Sequence, residues 1–193
     1  TAATNSAIAA FLLAASAEDN VDYVLSPRND APDHFPLGAT VVMFSATDAA
    51  GNLSTASSTV TVADQTVPVL IAPPAITVAA VDALGTPTTD SAVAAFLNAA
   101  IVTDNVDSAV TIENDAASTL ALGANLVTFT AVDAAGNAAV AVTSTITVAD
   151  QTGPEVTAPA ALTVAAVDAT GTPASAAAIV SFIANALAED NVD

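Results

Sequence analysis

The sequence has no cysteine, so no disulfide staples it and thiol catalysis is excluded. Arg28 is its one basic residue against 20 acidic ones, a formal net charge of -19. Nucleic acid and anionic membrane would both be repelled by such a surface. Aromatic residues make up only 4% of the chain, and much of its 53% hydrophobic content is alanine. Each core must therefore be small and thin, and no aromatic platform for stacking sugars is in view. His34 is the single histidine, and Thr119 stands at its counterpart. That argues against zinc and against histidine-centred catalysis. No run of about 18 apolar residues lacks a charge or a turn signal, so membrane insertion is not expected. The opening Thr1-Ala-Ala-Thr-Asn5 does not look like a signal peptide.

What the chain has is repetition. Thr61-Val-Ala-Asp64-Gln-Thr66-Val-Pro68 returns as Thr147-Val-Ala-Asp150-Gln-Thr152-Gly-Pro154, 86 residues on. Each copy ends a Thr/Val alternation and meets a proline that cannot continue a central strand. The copies mark junctions and divide the 193 residues three ways. Residues 1–66 are a partial first repeat without its opening strand, and residues 67–152 are a complete repeat. Residues 153–193 carry the opening strand and helix of a third.

Within a repeat the order is regular. An opening strand is expected over Ile76–Ala80, with a counterpart at Leu162–Ala166. Apolar stripes then recur at helical spacing: Ile8, Phe11, Leu12 and Ala15; Val93, Phe96, Leu97 and Ala100; Ile179, Phe182, Ile183 and Ala186. Side chains suited to helix caps precede them, in Thr4-Asn5-Ser6, Asp90-Ser91 and Ser175. Each stripe reads as a three-turn helix covering a core, since it lacks the basic rim of a membrane helix. Acidic runs follow at Asp19–Asp22, Asp104–Asp107 and Asp190–Asp193, then short strands around Tyr23–Arg28 and Ser108–Glu113 and turns at Asn29-Asp30 and Asn114-Asp115. The strongest strands alternate at Val42, Phe44, Ala46 and at Val127, Phe129, Ala131. They end in Asp48-Ala-Ala-Gly51-Asn52 and Asp133-Ala-Ala-Gly136-Asn137, loops suited to a type I turn followed by a left-handed residue. The fold class is mostly β: tandem immunoglobulin-like β-sandwiches, each with one short inserted helix, stacked head to tail.

The Asp-Asn-Val-Asp runs, Asn29-Asp30-Ala-Pro32, Phe35-Pro-Leu-Gly38, Thr47-Asp-Ala-Ala-Gly-Asn52 and the Asp64-Gln-Thr-Val-Pro68 junction give the repeat its likeness. It resembles the bacterial relatives of the hyalin-repeat (HYR) and immunoglobulin-like modules of surface proteins, over essentially the whole chain. The resemblance implies an extracellular or cell-surface, non-enzymatic structural array: a stalk, fibre or filament whose partners are neighbouring repeats or copies of itself. An adhesin stalk, or a spacer in a secreted enzyme, is the alternative. Ser118-Thr-Leu-Ala replaces the Phe-Pro segment in the second copy, so that loop is not expected to be a shared binding site.

The acidic residues carry the chemistry. Of 16 aspartates, 14 sit at positions that recur between copies, concentrated in turns and strand ends. Following chain direction through one sandwich assigns Asp115 and Asp133 to the near pole. The far pole receives Asp82, Asp104, Asp107 and Asp150. Head-to-tail stacking then gathers Asp19, Asp22, Asp64, Asp115 and Asp133 at the first junction, with Asn137 close by. Five carboxylates with no lysine or arginine would repel, and calcium, which takes six to eight oxygen ligands in loose geometry, removes that cost. Asp-Asn-Val-Asp is not an EF-hand loop. Turn and cap chemistry alone is the competing account of these aspartates.

Overall fold

A computed structural model describes residues 5–192. The chain divides into two compact units, Thr1–Thr66 and Val67–Asp193.

The second unit shows the repeat in full. Its opening strand is split. Strand β4 (Val69–Ile71) pairs antiparallel with β7 (Ile101–Thr103). After Pro73-Pro74 the chain resumes as β5 (Ile76–Ala79), which pairs in parallel with β11 (Val142–Ala149). Proline lacks the N–H a ladder needs, so the strand breaks there and changes partner. β11 is hydrogen-bonded in turn to β10 (Gly123–Val132), and β10 to β8 (Thr111–Asn114), giving the order β5-β11-β10-β8. β6 (Thr86–Pro87) and β9 (Thr119–Leu120) make a short second ribbon. Helix α2 (Ser91–Leu97) covers the core, capped by Asp90, whose Oδ1 accepts the Ala92 and Val93 N–H groups at 2.9 and 3.3 Å. Buried Leu70, Val78, Val93, Phe96, Leu120, Val127, Phe129, Ile146 and Val148 form one cluster between the four-stranded sheet, the β4–β7 ribbon and α2.

Gly85 is fixed by a close approach. Its φ is 115°, and a Cβ there would lie 1.9 Å from the Leu120 carbonyl oxygen. The tight loop from Asp82 to Gly85 lets Thr86 enter the core, where its hydroxyl donates to the Ala79 carbonyl at 2.7 Å.

The same unit carries the third repeat's segment. β12 (Glu155–Thr157) pairs with β13 (Leu187–Glu189), as β4 does with β7, and α3 (Ala177–Ala184) lies between them in sequence.

Among the described residues the first unit repeats the plan from its helix onward. It has helix α1 (Ser6–Leu13) and a sheet of β1 (Arg28–Asn29), β2 (Gly38–Thr47) and β3 (Leu53–Val62). Its core is Ile8, Phe35 and Val42, with Phe11, Phe44, Val60 and Val62 only half-buried. Phe35 and its counterpart Leu120 are both buried, so this segment plugs the core in each copy.

The fold is mostly β with three short helices. Several expectations are corrected. The helices make about two turns each, and Ala15, Ala100 and Ala186 fall beyond their ends. Asn5 caps α1 through its side chain, and Thr4 lies outside the described residues. Ser175 does not cap α3, which begins after Ala176 with no side-chain cap. The strand expected over Tyr23–Arg28 shrinks to Arg28–Asn29, and Tyr23 adopts φ 35°. Leu162–Ala166 takes no strand. The hairpin loops are as expected, with Gly51 and Gly136 both at φ 92°.

Candidate functional site

Two acidic clusters stand out, one in each unit, built from the same positions. In the first unit, Asp19, Asp22 and Asp48 bring carboxylate oxygens within 4.8 Å of one another. In the second, Asp104, Asp107 and Asp133 do the same within 4.8 Å.

Local hydrogen bonds explain why the chain gathers them. Asp104 Oδ1 accepts the N–H groups of Val106 and Asp107 at 2.8 and 2.9 Å. This turn folds the Asp-Asn-Val-Asp run back on itself. Asp19 makes the same turn with Val21 and Asp22, at 2.8 and 3.2 Å. The second aspartate of each run then reaches the hairpin loop. Asp22 Oδ2 accepts the Ala49 N–H, and Asp107 Oδ2 the Ala134 N–H, both at 2.9 Å. The hairpin aspartate is held by its own loop. Asp133 accepts from the Asn137 backbone at 2.7 Å and from the Asn137 side chain at 2.8 Å. Asp48 and Asn52 repeat this at 2.7 and 2.6 Å.

These donors hold the carboxyl groups of Asp19, Asp48 and Asp133 below their ordinary range. Burial pushes the Asp133 carboxyl up, but the Asn137 side chain and the backbone N–H groups of residues 135 to 137 outweigh it, and the group titrates below its ordinary range. Asp48 is lowered first by the Asn52 side chain and then by its backbone. Asp19 is lowered by the Val21 and Asp22 N–H groups, against a smaller opposing push from the charge of Asp48. Three charges thus converge without a counter-ion of the chain's own in the second unit, which contains no lysine or arginine. Asp104 Oδ2 is buried and has no hydrogen-bond partner among the described residues.

The chemistry of this donor set fits a hard cation. Every donor is an oxygen. Calcium binds oxygens at about 2.3–2.6 Å, so two ligands of one ion stand at most about 5 Å apart. The carboxylate oxygens of each cluster, all within 4.8 Å of one another, satisfy that limit.

The polar assignment made from the sequence is corrected here. Asp104 and Asp107 lie with Asp133 and not with Asp82 and Asp150. Strand β7 carries the chain back across the unit before the acidic run begins. Asp19 and Asp22 join Asp48 of their own unit, a residue absent from the expected set. Its signal was available, because it occupies the position of Asp133. Asp82 and Asp150 do share an end, where the Ala80 N–H donates to the Ala149 carbonyl at 2.8 Å. Both are exposed and cap turns: Asp82 accepts from Leu84 at 2.8 Å and Asp150 from Thr152 at 3.0 Å. Asp115 is exposed and sits beside Thr128, partway along β10, where it accepts the Thr128 N–H at 2.7 Å. Turn chemistry accounts for Asp82 and Asp150, and a cross-strand bond to β10 for Asp115. Asp64 is half-buried at the end of the first unit, where its Oδ1 accepts the Thr66 N–H at 3.0 Å.

The middle of the acidic run has its own work. In the third copy, Asn191 Nδ2 donates to the carbonyls of Ala80 and Val81 at 3.1 and 3.3 Å, and Val192 packs against the core of the complete repeat. The third copy's run therefore docks on the end of the complete repeat's opening strand, within the second unit. Asp193 lies outside the described residues.

Residues 69–148 match the HYR domain family, a span from the start of β4 almost to the end of β11 that contains Asp104, Asp107 and Asp133. Over 162 residues the chain is 34% identical to a protein named hyalin from the sea urchin Lytechinus variegatus. That match takes in 80% of this chain and 30% of the relative's length, so the chain spans less than a third of it.

Proposed function

We infer that a chain whose residues 69–148 are a HYR-like domain, with one acidic hairpin cluster built twice, serves outside the cell as a non-enzymatic structural repeat of the adhesion type. The repeats are immunoglobulin-like sandwiches that follow one another head to tail, and their clusters bind calcium. Asp104, Asp107 and Asp133 would hold one ion, and Asp19, Asp22 and Asp48 another. Calcium would neutralise carboxylates that otherwise repel, and would tie the acidic run to the hairpin loop. Rigid repeats of this kind suit a stalk or filament, whose partners are further repeats or copies of itself.

The observation that carries this reading is the recurrence of the whole cluster, hydrogen bond for hydrogen bond, in two units. Turn chemistry alone needs no convergence of the acidic run and the hairpin loop on one point. The relative's name, hyalin, and the family's module point the same way. The test is direct. Calcium added to chelator-treated protein should raise the melting temperature saturably and bind with about one ion per cluster, with magnesium much weaker. If calcium neither binds nor changes the melting temperature, the reading is wrong.

A further inference from the structure

We propose that the outer sheet faces of the two units are mates: the first-unit face of one chain packs on the second-unit face of another, joining two copies side by side.

The face is best defined in the complete repeat. Buried Val78, Val127, Phe129, Ile146 and Val148 mark the core side of the sheet β5-β11-β10-β8. Side chains alternate along a strand, so Thr77, Thr145, Thr147, Leu126, Thr128 and Thr130 point to the other side. The register sets Thr77 beside Thr147, and Thr145 beside Leu126. No residue of β5, β10 or β11 is charged, in a chain with 20 acidic residues. Leu126, at the centre, is 66% exposed. All four strands lie within residues 67–152, so the face is a property of the repeat itself. The third copy's acidic run docks on the end of β5, at the Ala80 and Val81 carbonyls, and leaves the face open. The first unit presents the same surface on β2 and β3. There Val42 and Phe44 turn to the core, while Val41, Met43 and Ser45 turn away, opposite Thr59, Ser57 and Thr55. Neither strand carries a charge, and Val41 is 65% exposed.

Charge selects the occupant. Two copies of net charge -19 repel wherever carboxylates meet, and these faces are where they can approach without that cost. One rim position then differs in sign between the units. Arg28 on β1 stands opposite Ser45, and Glu113 on β8 holds the corresponding place opposite Thr130. Both are exposed, and Arg28 is the only basic residue of the chain. First face on first face would set arginine against arginine, and second on second would set glutamate against glutamate. Only the crossed pairing joins opposite charges. Asp30 and Asp115 lie further along the same rim, each accepting an N–H of the neighbouring strand at 2.7 Å. Being equivalent in the two units, they do not favour one pairing over another. Strands about 4.8 Å apart, rising about 3.3 Å per residue, give a face of roughly 500 Å² over four strands and eight residues. One pairing therefore buries about 1,000 Å² in total, the lower limit for a specific contact. Two copies offer two such pairings, so contacts that are weak singly add up.

The inference rests neither on calcium nor on the head-to-tail order. Its test is sedimentation of the full chain in chelator, where concentration-dependent dimers are expected below roughly 1 mM. Arg28→Glu should weaken dimerisation at least about ten-fold, and so should Glu113→Arg. The second variant is decisive. Exchanging one negative charge for one positive takes the net charge from -19 to -17, which would strengthen any association governed by overall repulsion. The double variant, again at -19, should recover the wild-type affinity. Leu126→Asp should weaken the dimer at least about ten-fold by placing a charge at the centre of the face. These side chains are exposed, so unchanged melting temperatures are expected for all four proteins. A chain that stays monomeric, a Glu113→Arg protein that associates as well as the wild type or better, or a double variant that remains weak would overturn the pairing. Each of these outcomes leaves the calcium titration untouched.

Discussion

Asp107 Oδ2 accepts the Ala134 N–H at 2.9 Å, across 27 residues of chain. The bond joins the acidic run to the tip of the β10–β11 hairpin, and Asp22 and Ala49 repeat it at the same length. One carboxylate therefore serves both the fold and the charge cluster, and the two roles respond oppositely to substitution. Asp107→Asn keeps an oxygen to accept the Ala134 N–H but removes one negative charge. In chelator the variant should melt at or above the wild-type temperature, because repulsion falls. In calcium it should lose most of the stabilisation that the ion gives the wild type. Paired melting curves with and without calcium check this. A variant that gains as much from calcium as the wild type would remove Asp107 from the site.

Burial of the paired phenylalanines gives a second prediction. Phe96 is 4% exposed and meets buried Phe129. Phe96→Ala should destabilise the second unit by about 3–5 kcal/mol, the usual range for a buried ring. Phe11, at the same position in the first unit, is half-buried. Phe11→Ala should cost the first unit roughly half as much, in proportion to the area hidden from water. Denaturant unfolding followed separately for each unit would measure both. Equal costs would mean that Phe11 is as fully buried in solution as Phe96.

Much of this was legible in the sequence because local chemistry and long-range packing agree. The Asp-Ala-Ala-Gly-Asn loops announce hairpins through the glycine at positive φ, and Val127, Phe129 and Ala131 alternate as a half-buried strand should. Asp90 sits where a helix cap belongs. The error lay in one short strand. Ile101–Thr103 has only three residues, and its counterparts, Ser16-Ala-Glu18 and Leu187-Ala-Glu189, share no strand pattern with it. Missing that strand puts the acidic run at the wrong end of the sandwich, although Asp133 and Asp150 are assigned to the ends where they lie. That is why Asp104 and Asp107 were expected beside Asp82. Asp115 was misplaced for a different reason: β8 stops beside the middle of β10, and strand pairing register is not readable from composition.

The glycines separate steric crowding from backbone preference. Gly51 and Gly85 both have positive φ, but a Cβ at Gly51 meets nothing within 4 Å, whereas at Gly85 it strikes the Leu120 carbonyl. Gly51→Ala should cost about 1–2 kcal/mol, the penalty for an L-residue in left-handed conformation. Gly85→Ala should cost substantially more, because β9 must move away from β6 as well. Thr86 would then lose its buried seat. Thermal unfolding of the two variants tests the order, and a Gly85→Ala protein as stable as Gly51→Ala would contradict the close approach.

The last prediction concerns acid. Asp115 lies away from both clusters, so its titration reports on its own hydrogen bonds. Its carboxyl is held below the ordinary value of 3.8, chiefly by the Thr128 backbone N–H and then by the Thr128 side chain. A group whose folded value is depressed contributes stability that is complete above its unfolded value and lost as pH falls through the folded one. Asp115→Asn keeps an acceptor for Thr128 but cannot ionise. The variant should be less stable than the wild type near neutral pH, with a gap that is constant down to about pH 5. Below 3.8 the gap should close, as the wild-type carboxylate takes up a proton and becomes, like asparagine, neutral. Comparing the two proteins cancels the global effect of neutralising the other aspartates, which for a chain of net charge -19 would otherwise swamp a single group. Melting temperatures of both proteins measured in chelator between about pH 7 and pH 2 give the difference directly. A gap independent of pH would show that Thr128 holds the oxygen and not the charge.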